Sequence, residues 1–330
     1  MRSRITAVIL GLSIVFGSVA HAAETQKLIV YTSMKESLIG ALVEGFNNVH
    51  PNVSVDYQSA GAGKLMAKLA AERESGKILA DILWTSEVPD FYNMKIEGLL
   101  EQYTSPAFPE VLNPFDDFDG YFTAIRLGTL GIAYNTRLIK EAPKEWADLT
   151  QPQFKNAFGI ANPALSGTAY MSIALLQKEF GWEFFENLKK NGARMGKGSG
   201  QVIDDTASGE LVASLAVDYI TNDKIGKGAH LALVYPPEIL MAPSPAAIIK
   251  GTPNLEAAKK FVDFLLSREA QVIIAGEGTL PVRTDVEIPA QFNLPHPDEA
   301  LQRAIKINYL EIMASKEDTI KKFTNIMQGK

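Results

Sequence analysis

Apolar positions in the first hundred residues alternate between two periods. Runs such as LIVY and VSV have the spacing of strands, and the segments between them repeat apolar residues every three or four positions, as amphipathic helices do. This pattern predicts strands over residues 27–33, 53–61 and 80–88 and helices over residues 38–46, 64–76 and 90–100. Regular alternation of strand and helix predicts parallel α/β structure.

The rest of the chain continues the α/β pattern with less regular spacing. Two short strands are predicted within residues 123–139, around Gly128 and Gly131. Further strands are predicted over residues 157–163, 209–219, 230–236 and 244–251, with helices around 169–180, 204–210, 255–271 and 296–330. The helix over residues 255–271 has the clearest apolar face.

The first 22 residues have the composition of a secretory signal peptide. A basic start at Arg2 and Arg4 precedes an apolar run from Ile5 to Phe16 and a small-residue cleavage pattern at residues 20–22. The apolar run is shorter than the roughly 20 residues that span a bilayer. We therefore predict a mature protein in the periplasm, outside the cytoplasm.

Composition restricts the class of partner. Without residues 1–22, which contain two arginines and no acidic residue, the formal net charge changes from −6 to −8. An acidic surface disfavours nucleic acid and anionic membranes as partners. The absence of Cys excludes disulfides and thiolate chemistry. A small anionic ligand stays compatible, because a binding site is a local feature.

A mature chain of about 308 residues predicts two lobes rather than one. We predict lobe 1 from residues 23–122 and 244–285 and lobe 2 from residues 123–243 and 286–330, with the ligand cleft between them. Ligands bind beyond the carboxyl ends of strands in open parallel sheets. The polar strand exits that this rule selects are Thr32-Ser33, Gly61, Thr85-Ser86, Ser166-Gly167-Thr168 and Asp218-Tyr219.

Six segments in this order resemble the extracellular solute-binding proteins of ABC importers: LIVYTS, ADILWTSE, NPALSGTAY, AVDY, VYPPE and the long run from Pro243 to Ser267. The resemblance is to the branch labelled ferric-iron-binding, which also includes binders of phosphonates, such as 2-aminoethylphosphonate, and of hexose phosphates. It implies a two-lobe type II periplasmic binding protein that closes on its ligand and delivers it to a permease in the inner membrane. It implies no catalysis and no cofactor, and a monomer is expected.

The strand exits favour an anion as the ligand. Ser166, Gly167 and Thr168 open a predicted helix, where unpaired backbone N–H groups and the helix dipole attract oxyanions. Ordinary helix capping explains one such segment, but several exits repeat the design. Asp218 and Glu238 are expected to hold an amine or sugar hydroxyls attached to the phosphorus group.

Basic and aromatic residues near these exits have predicted roles as well. Lys35, Lys64 and Arg126 are candidate counter-charges for the anion, with a structural ion pair favoured for Arg126. Trp84 is expected in the core, and the Gly-rich segment 196–200 is expected to be a turn that lines the cleft. The sequence therefore predicts capture of a phosphonate or sugar phosphate.

Ferric iron is the alternative ligand. The resemblance implies two adjacent tyrosines as iron ligands, and here only Tyr219 stands at the matching place. Tyr219, Asp218 and Glu238 would then form the iron site.

A sensor that feeds a membrane receptor is a further alternative. Catalytic motifs are missing: SAGAGKLM lacks the Ser or Thr of a P-loop, and neither Gly-x-Ser-x-Gly nor His-Glu-x-x-His occurs.

Overall fold

The computed structural model describes residues 26–330, so the predicted signal peptide lies outside the described part. The strands are β1 (Gln26–Thr32), β2 (Val53–Ser59), β3 (Ile82–Trp84), β4 (Thr123–Asn135), β5 (Phe158–Ala161), β6 (Arg194–Gly196), β7 (Ala213–Val217), β8 (Leu231–Val234), β9 (Leu240–Ile248) and β10 (Leu280–Pro281). The helices are α1 (Glu36–Val49), α2 (Ala62–Glu74), α3 (Val88–Ile96), α4 (Gly167–Lys190), α5 (Ser199–Ser208), α6 (Asp218–Gly226), α7 (Leu255–Leu266), α8 (Arg268–Gly276), α9 (Pro297–Arg303), α10 (Tyr309–Ala314) and α11 (Lys316–Gln328).

Two long antiparallel strands, β4 and β9, join the two halves of the molecule. The strand order is β2-β1-β3-β9-β4-β7-β5-β6, with β8 and β10 also paired to β4. Strands β1 to β3 are parallel to one another in lobe 1, and β5 to β7 are parallel in lobe 2. Because β4 and β9 cross from one half to the other within a continuous sheet, the lobe boundaries given above stay a prediction.

The middle of the sheet differs from the sequence prediction. Residues 123–135 form the single strand β4 rather than two short strands. Gly128 and Gly131 permit this because neighbouring backbone approaches them closely: a Cβ on Gly128 would lie 2.7 Å from the carbonyl oxygen of Ala242, and one on Gly131 would overlap that of Val234. The glycines that suggested a break are instead points of close strand packing.

The predicted helix over residues 255–271 is two helices, α7 and α8. Ser267 separates them with an extended backbone, and its side chain accepts a hydrogen bond from the Ala270 amide at 3.2 Å. This is the usual action of an N-cap serine, which begins a new helix. Strands β6 and β10 contain three and two residues, too few to give a periodic pattern.

Each lobe has its own aromatic cluster within one continuous core. In lobe 1 the ring of Phe46 lies 5.0 Å from Phe261 and 5.6 Å from Phe264. In lobe 2 Phe185 contacts Phe323 at 5.3 Å, which attaches α11 to α4, while α10 packs on α3 of lobe 1. The C-terminal helices therefore contact both lobes.

Parallel strands place the helix N-termini at one edge of each half. Helices α1 and α2 begin directly after β1 and β2, and α4, α5 and α6 begin after β5, β6 and β7. Trp84 at the end of β3 is fully buried and donates from Nε1 to the Ser244 carbonyl at 3.1 Å, so the prediction that it belongs to the core is confirmed. These two edges face each other across the cleft.

Candidate functional site

A cavity of about 340 Å³ lies between the two edges. It is lined by the N-terminal ends of five helices, two from lobe 1 (α1 and α2) and three from lobe 2 (α4, α5 and α6). Seven of the eleven predicted site residues line it: Ser33, Gly61, Ser86, Ser166, Gly167, Thr168 and Tyr219. The first N–H groups of a helix have no intrahelical partner, which makes the cavity suited to an anion, although the Lys35, Ala169 and Tyr219 amides already donate to side chains.

Three hydroxyl groups form a triangle on the lobe 2 wall. Ser166 Oγ lies 3.1 Å from Thr168 Oγ1, and Ser199 Oγ lies 3.0 Å from each of them. Ser166 is the N-cap of α4 and accepts from the Ala169 amide at 3.3 Å, so the capping role is real. Ser199 opens α5. The triangle therefore joins the N-termini of two helices and supplies three hydroxyl donors to the cavity.

The lobe 1 wall is formed by serines and by the turn that contains Gly61 and Gly63, called the glycine turn below. Ser33 Oγ accepts from the Ser86 amide at 3.2 Å, which connects the exits of β1 and β3. Ser86 Oγ shares a hydrogen bond of 2.7 Å with Ser244 of β9. Ser59, at the end of β2, donates to the Met34 carbonyl at 2.7 Å. These bonds fix the strand exits in the arrangement that frames the cavity.

The lobes meet at the glycine turn. A Cβ on Gly61 would overlap the carbonyl oxygen of Leu165, and a Cβ on Gly63 would overlap that of Ala164. Neither glycine has a positive φ, so the requirement is for space and not for an unusual backbone conformation. Glycine at both positions allows the backbones of the two lobes to come into direct contact above the cavity.

Four cationic side chains line the cavity: Lys35, Lys64, Arg126 and Lys197. None of the described residues that line it is Asp, Glu or His. The three lysines are exposed at the rim and form no ion pair within residues 26–330, whereas Arg126 is only 1% exposed. The electrostatic field in the cavity is therefore positive, from side chains and helix ends together.

Asp218 is not a ligand-facing residue, which corrects the sequence prediction. Its carboxylate lies 3.2 Å from Arg126 Nη1 and accepts from the Thr129 amide at 2.9 Å and from Thr279 Oγ1 at 2.7 Å. It also accepts from its neighbouring Tyr219 amide at 2.7 Å. With a fully buried carboxylate held by four partners, Asp218 joins β4, α6 and the loop before β10. The structural ion pair predicted for Arg126 is this one.

Three other predicted residues also lie outside the cavity lining. Glu238 is in the loop before β9, where its carbonyl accepts from Trp146 Nε1 at 3.1 Å. Thr32 and Thr85 are fully buried, and their hydroxyls accept from backbone amides two residues ahead, at 3.1 and 3.4 Å. These threonines stabilise the turns that present Ser33 and Ser86, so the hydroxyl next in sequence is the one that reaches the cavity.

Tyr219 lies over Arg126 and beside Lys35. The guanidinium carbon of Arg126 is 4.8 Å from the centre of the Tyr219 ring, and the Tyr219 hydroxyl accepts from the Lys35 amide at 3.1 Å. Burial raises the pKa of Tyr219, which opposes the phenolate that ferric iron requires. No three His, Asp or Glu residues within 26–330 come together as a metal site. The predicted iron site of Tyr219, Asp218 and Glu238 is not assembled.

Sequence reasoning missed Lys197, Ser199 and Gln201 as site residues. They follow β6, which was too short to recognise, so the exit at its end was predicted only as a Gly-rich turn along the cleft, with no ligand-binding residue named. The available signal was the segment GKGSG itself: glycines around a lysine and a serine, directly before a helix, are typical of anion-binding turns. The expectation that this segment lines the cleft agrees with its position in the cavity wall.

A buried acidic pair lies directly behind the α4 N-terminus. Glu87 packs against Gly167, and Lys316 of α11 forms ion pairs with Glu87 and with Asp90, the latter at 2.6 Å. Burial, and next the neighbouring Asp90, raise the pKa of Glu87 to about 7, against the opposing effect of Lys316. Glu87 is the N-cap of α3 and Asp90 lies in its first turn. Lys316 therefore attaches α11 to lobe 1.

Residues 77–312 match the family described as bacterial extracellular solute-binding protein, and the chain belongs to this family. A relative from Salmonella typhimurium, provisionally named a 2-aminoethylphosphonate-binding periplasmic protein, is 26% identical over 246 residues, 71% of each chain. Membership in the family confirms the predicted class of solute-binding protein and the predicted periplasmic location. Among residues 26–330, no helix has the length and apolar character needed to cross a membrane.

Solved structures share the fold over nearly the whole chain. The periplasmic binding protein AfuA from Actinobacillus pleuropneumoniae, with fructose-6-phosphate bound, has a TM-score of 0.77 and 24% identity, over 92% of this chain and 99% of its own. Iron-bound HitA from Pseudomonas aeruginosa has a TM-score of 0.76 and 22% identity, over 91% and 99%. The predicted two-lobe type II periplasmic binding protein fold is confirmed.

Replacing Asp218 should destabilise the protein strongly. Asp218→Ala leaves Arg126 buried without its counter-charge, and we expect the free energy of unfolding to fall by about 3–5 kcal/mol. Asp56→Ala, which removes an exposed ion pair with Lys27, should cost less than about 1 kcal/mol. Urea denaturation of both variants measures the difference. Equal losses would show that Asp218 has no special structural role.

The raised pKa of Glu87 predicts that stability falls as pH rises. Between its ordinary pKa of 4.5 and its value of about 7, the folded protein binds more protons at Glu87 than the unfolded chain does, so the free energy of unfolding decreases across this range. Urea unfolding measures the free energy of unfolding at pH 5.5 and at pH 8, and its decrease between the two should be smaller in Glu87→Gln than in the wild type. The exposed control Glu179→Gln should show the same decrease as the wild type. An equally large decrease in Glu87→Gln would contradict a raised pKa for Glu87.

Proposed function

We propose that the protein is the substrate-binding component of an ABC importer and captures an organic phosphorus oxyanion by closing its two lobes. The observation that carries the proposal is the cavity wall: five helix N-termini, the hydroxyl triangle and three lysines without ion-pair partners within residues 26–330, with no carboxylate among its described residues. Anions bind helix N-termini through free N–H groups and the helix dipole.

The hydroxyl triangle suits a tetrahedral group better than a flat or spherical one. Its three hydroxyls lie 3.0–3.1 Å apart, so each can turn its proton towards a different oxygen of one phosphoryl group. Hydrogen bonds to a charged acceptor contribute about 1.5–3 kcal/mol each. The lobe 1 wall, with Gly61 and Lys64, faces the same space, so an anion between the walls would contact both lobes.

Names of relatives support the same class of ligand. The Salmonella relative is named for a phosphonate, and AfuA was solved with a sugar phosphate. Ferric iron is the weaker candidate for this chain, although HitA has the same fold. The reason is chemical: the cavity offers a single tyrosine, whose pKa is raised, and no carboxylate or imidazole among its described residues.

The cavity residues fit binding rather than catalysis. Ser166, Thr168 and Ser199 have one another as hydrogen-bond partners, and no described residue that lines the cavity is a His, Asp or Glu that could act as a general base. The proposed partner is an inner-membrane permease that receives the closed protein. A monomer suffices, because one chain contributes both walls of the cavity.

Thermal shift on the metal-stripped mature protein tests the proposal. Fructose 6-phosphate, propylphosphonate, inorganic phosphate and ferric citrate would be compared, because a ligand of the folded state raises Tm with the logarithm of its concentration over Kd. Ser166→Ala combined with Thr168→Ala should weaken binding of the stabilising phosphorus compound by about 100-fold or more, with two charged hydrogen bonds lost. Ser208→Ala, at the exposed far end of α5, should bind like the wild type.

Two results would count against the proposal. Stabilisation by ferric citrate alone would assign the protein to iron transport. Unchanged affinity for the phosphorus compound in the double variant would exclude the hydroxyl triangle as its binding site. Urea denaturation distinguishes a variant that has lost its binding site from one that has unfolded. Removal of the Ser166 cap should lower the free energy of unfolding by only about 1 kcal/mol.

A further inference from the structure

We infer that the ligand carries a second acidic group in addition to its phosphorus oxyanion, and that a zwitterionic aminoalkylphosphonate is a poor ligand. This inference rests on the proposed function and narrows its substrate class. It comes from the balance of charges in the cavity. The positive charge of the lining exceeds the negative charge that one phosphoryl group carries.

The charge balance follows from the ion pairs around the cavity. Arg126 is matched by Asp218 at 3.2 Å, and that pair contributes no net charge. Lys35, Lys64 and Lys197 have no carboxylate partner within residues 26–330. A phosphoryl group carries about −1.5 to −2 charge at neutral pH. Three lysines together with the N-termini of α2, α4 and α5, whose first turns contain no acidic residue, therefore leave positive potential for a further anionic group.

Three carboxylates near the cavity already have lysine partners. Glu87, behind Gly167, is paired with Lys316. A smaller neighbouring cavity of about 270 Å³ contains Asp204 and Asp223, which are paired with Lys224 and Lys227. An ammonium group in the main cavity would thus meet lysines and helix N-termini with no carboxylate in the described lining, and this arrangement costs free energy.

A buried donor provides an independent sign of an acidic group. Arg126 lines the cavity, is 1% exposed, and its Nε has no hydrogen-bond partner within the described chain. The same side chain donates from Nη1 to Thr279 at 2.6 Å and to Asp218 at 3.2 Å, while its Nη2 lies 3.5 Å from Ser86 Oγ, so its longest bond is the one to a residue of the cavity wall. Buried polar groups are nearly always satisfied, and Nη2, whose bond to Ser86 Oγ is long at 3.5 Å, is the donor to which an acidic oxygen of the ligand, the acceptor that a guanidinium prefers, would add a bond.

The cavity has room for such a molecule. Its volume of about 340 Å³ is in the range of pockets that enclose small organic ligands and exceeds what one phosphoryl group fills. Ser86 on the lobe 1 wall lies beside Arg126, whose Nη2 is 3.5 Å from Ser86 Oγ, and Ser33 also lines the cavity. The second acidic group therefore has hydroxyl donors as well as cations available.

A set of three phosphonates with the same two-carbon spacer tests the inference. 3-Phosphonopropionate ends in a carboxylate, propylphosphonate in a methyl group and 2-aminoethylphosphonate in an ammonium. Isothermal titration calorimetry at pH 7.5 should give affinities in that order, with the carboxylate compound at least tenfold tighter than the methyl compound. The ammonium compound should be at least tenfold weaker than the methyl compound.

The possible results separate this inference from the proposed function. Equal affinities for all three compounds, or tighter binding of 2-aminoethylphosphonate, would overturn the second acidic group and leave the phosphorus oxyanion in place. Binding of none of the three, with binding of ferric citrate instead, would overturn both.

Lysine variants test the physical cause. The variant with Lys35→Gln and Lys197→Gln should lower the preference for 3-phosphonopropionate over propylphosphonate at least fivefold. A matched variant with Lys77→Gln and Lys155→Gln, two exposed lysines away from the cavity, should keep the wild-type preference. If the cavity variant lost affinity for both compounds by the same factor, the lysines would not be selecting the second charge.

Discussion

The buried pair of Arg126 and Asp218 fixes the crossing strand β4 against the start of α6. Arg126 comes from the crossing strand β4, and Asp218 is the first residue of α6 in lobe 2. Isolated charges are costly in a protein interior, so the pair and its partners Thr129 and Thr279 form only when the strand, the helix and the loop before β10 are all in place. The floor of the cavity depends on this assembly.

Much of the lining of the candidate cavity could be predicted from sequence because strand exits and helix starts have local signals. The polar residues after β1, β3 and β5 gave Ser33, Ser86 and the Ser166–Thr168 segment. Side-chain direction has no such signal: Thr32 and Thr85 point into the protein while their neighbours reach the cavity, and a one-residue step in a strand reverses the face. Asp218 was misassigned because its partners, including Thr279, are distant in sequence.

The fold was predicted best where the sequence repeats regularly and least well where close packing alters the local preference. The alternating elements of lobe 1 correspond to β1 to α3, although β3 is shorter than expected. Gly128 and Gly131 suggested a break in β4 because glycine usually interrupts strands, but here it serves the approach of β8 and β9. Whether a glycine ends a strand or admits a neighbour depends on tertiary contacts that a single sequence does not contain.

The direct backbone contact at Gly61 and Gly63 has an electrostatic consequence. Lys35 and Lys64 belong to lobe 1 and Lys197 to lobe 2, and helix N-termini of both lobes face the same space. Without a ligand these like charges repel across the cleft and oppose closure. An anion between them turns the repulsion into attraction to a shared centre. In the proposed function, the charges that attract the solute therefore also make closure of the lobes depend on its presence.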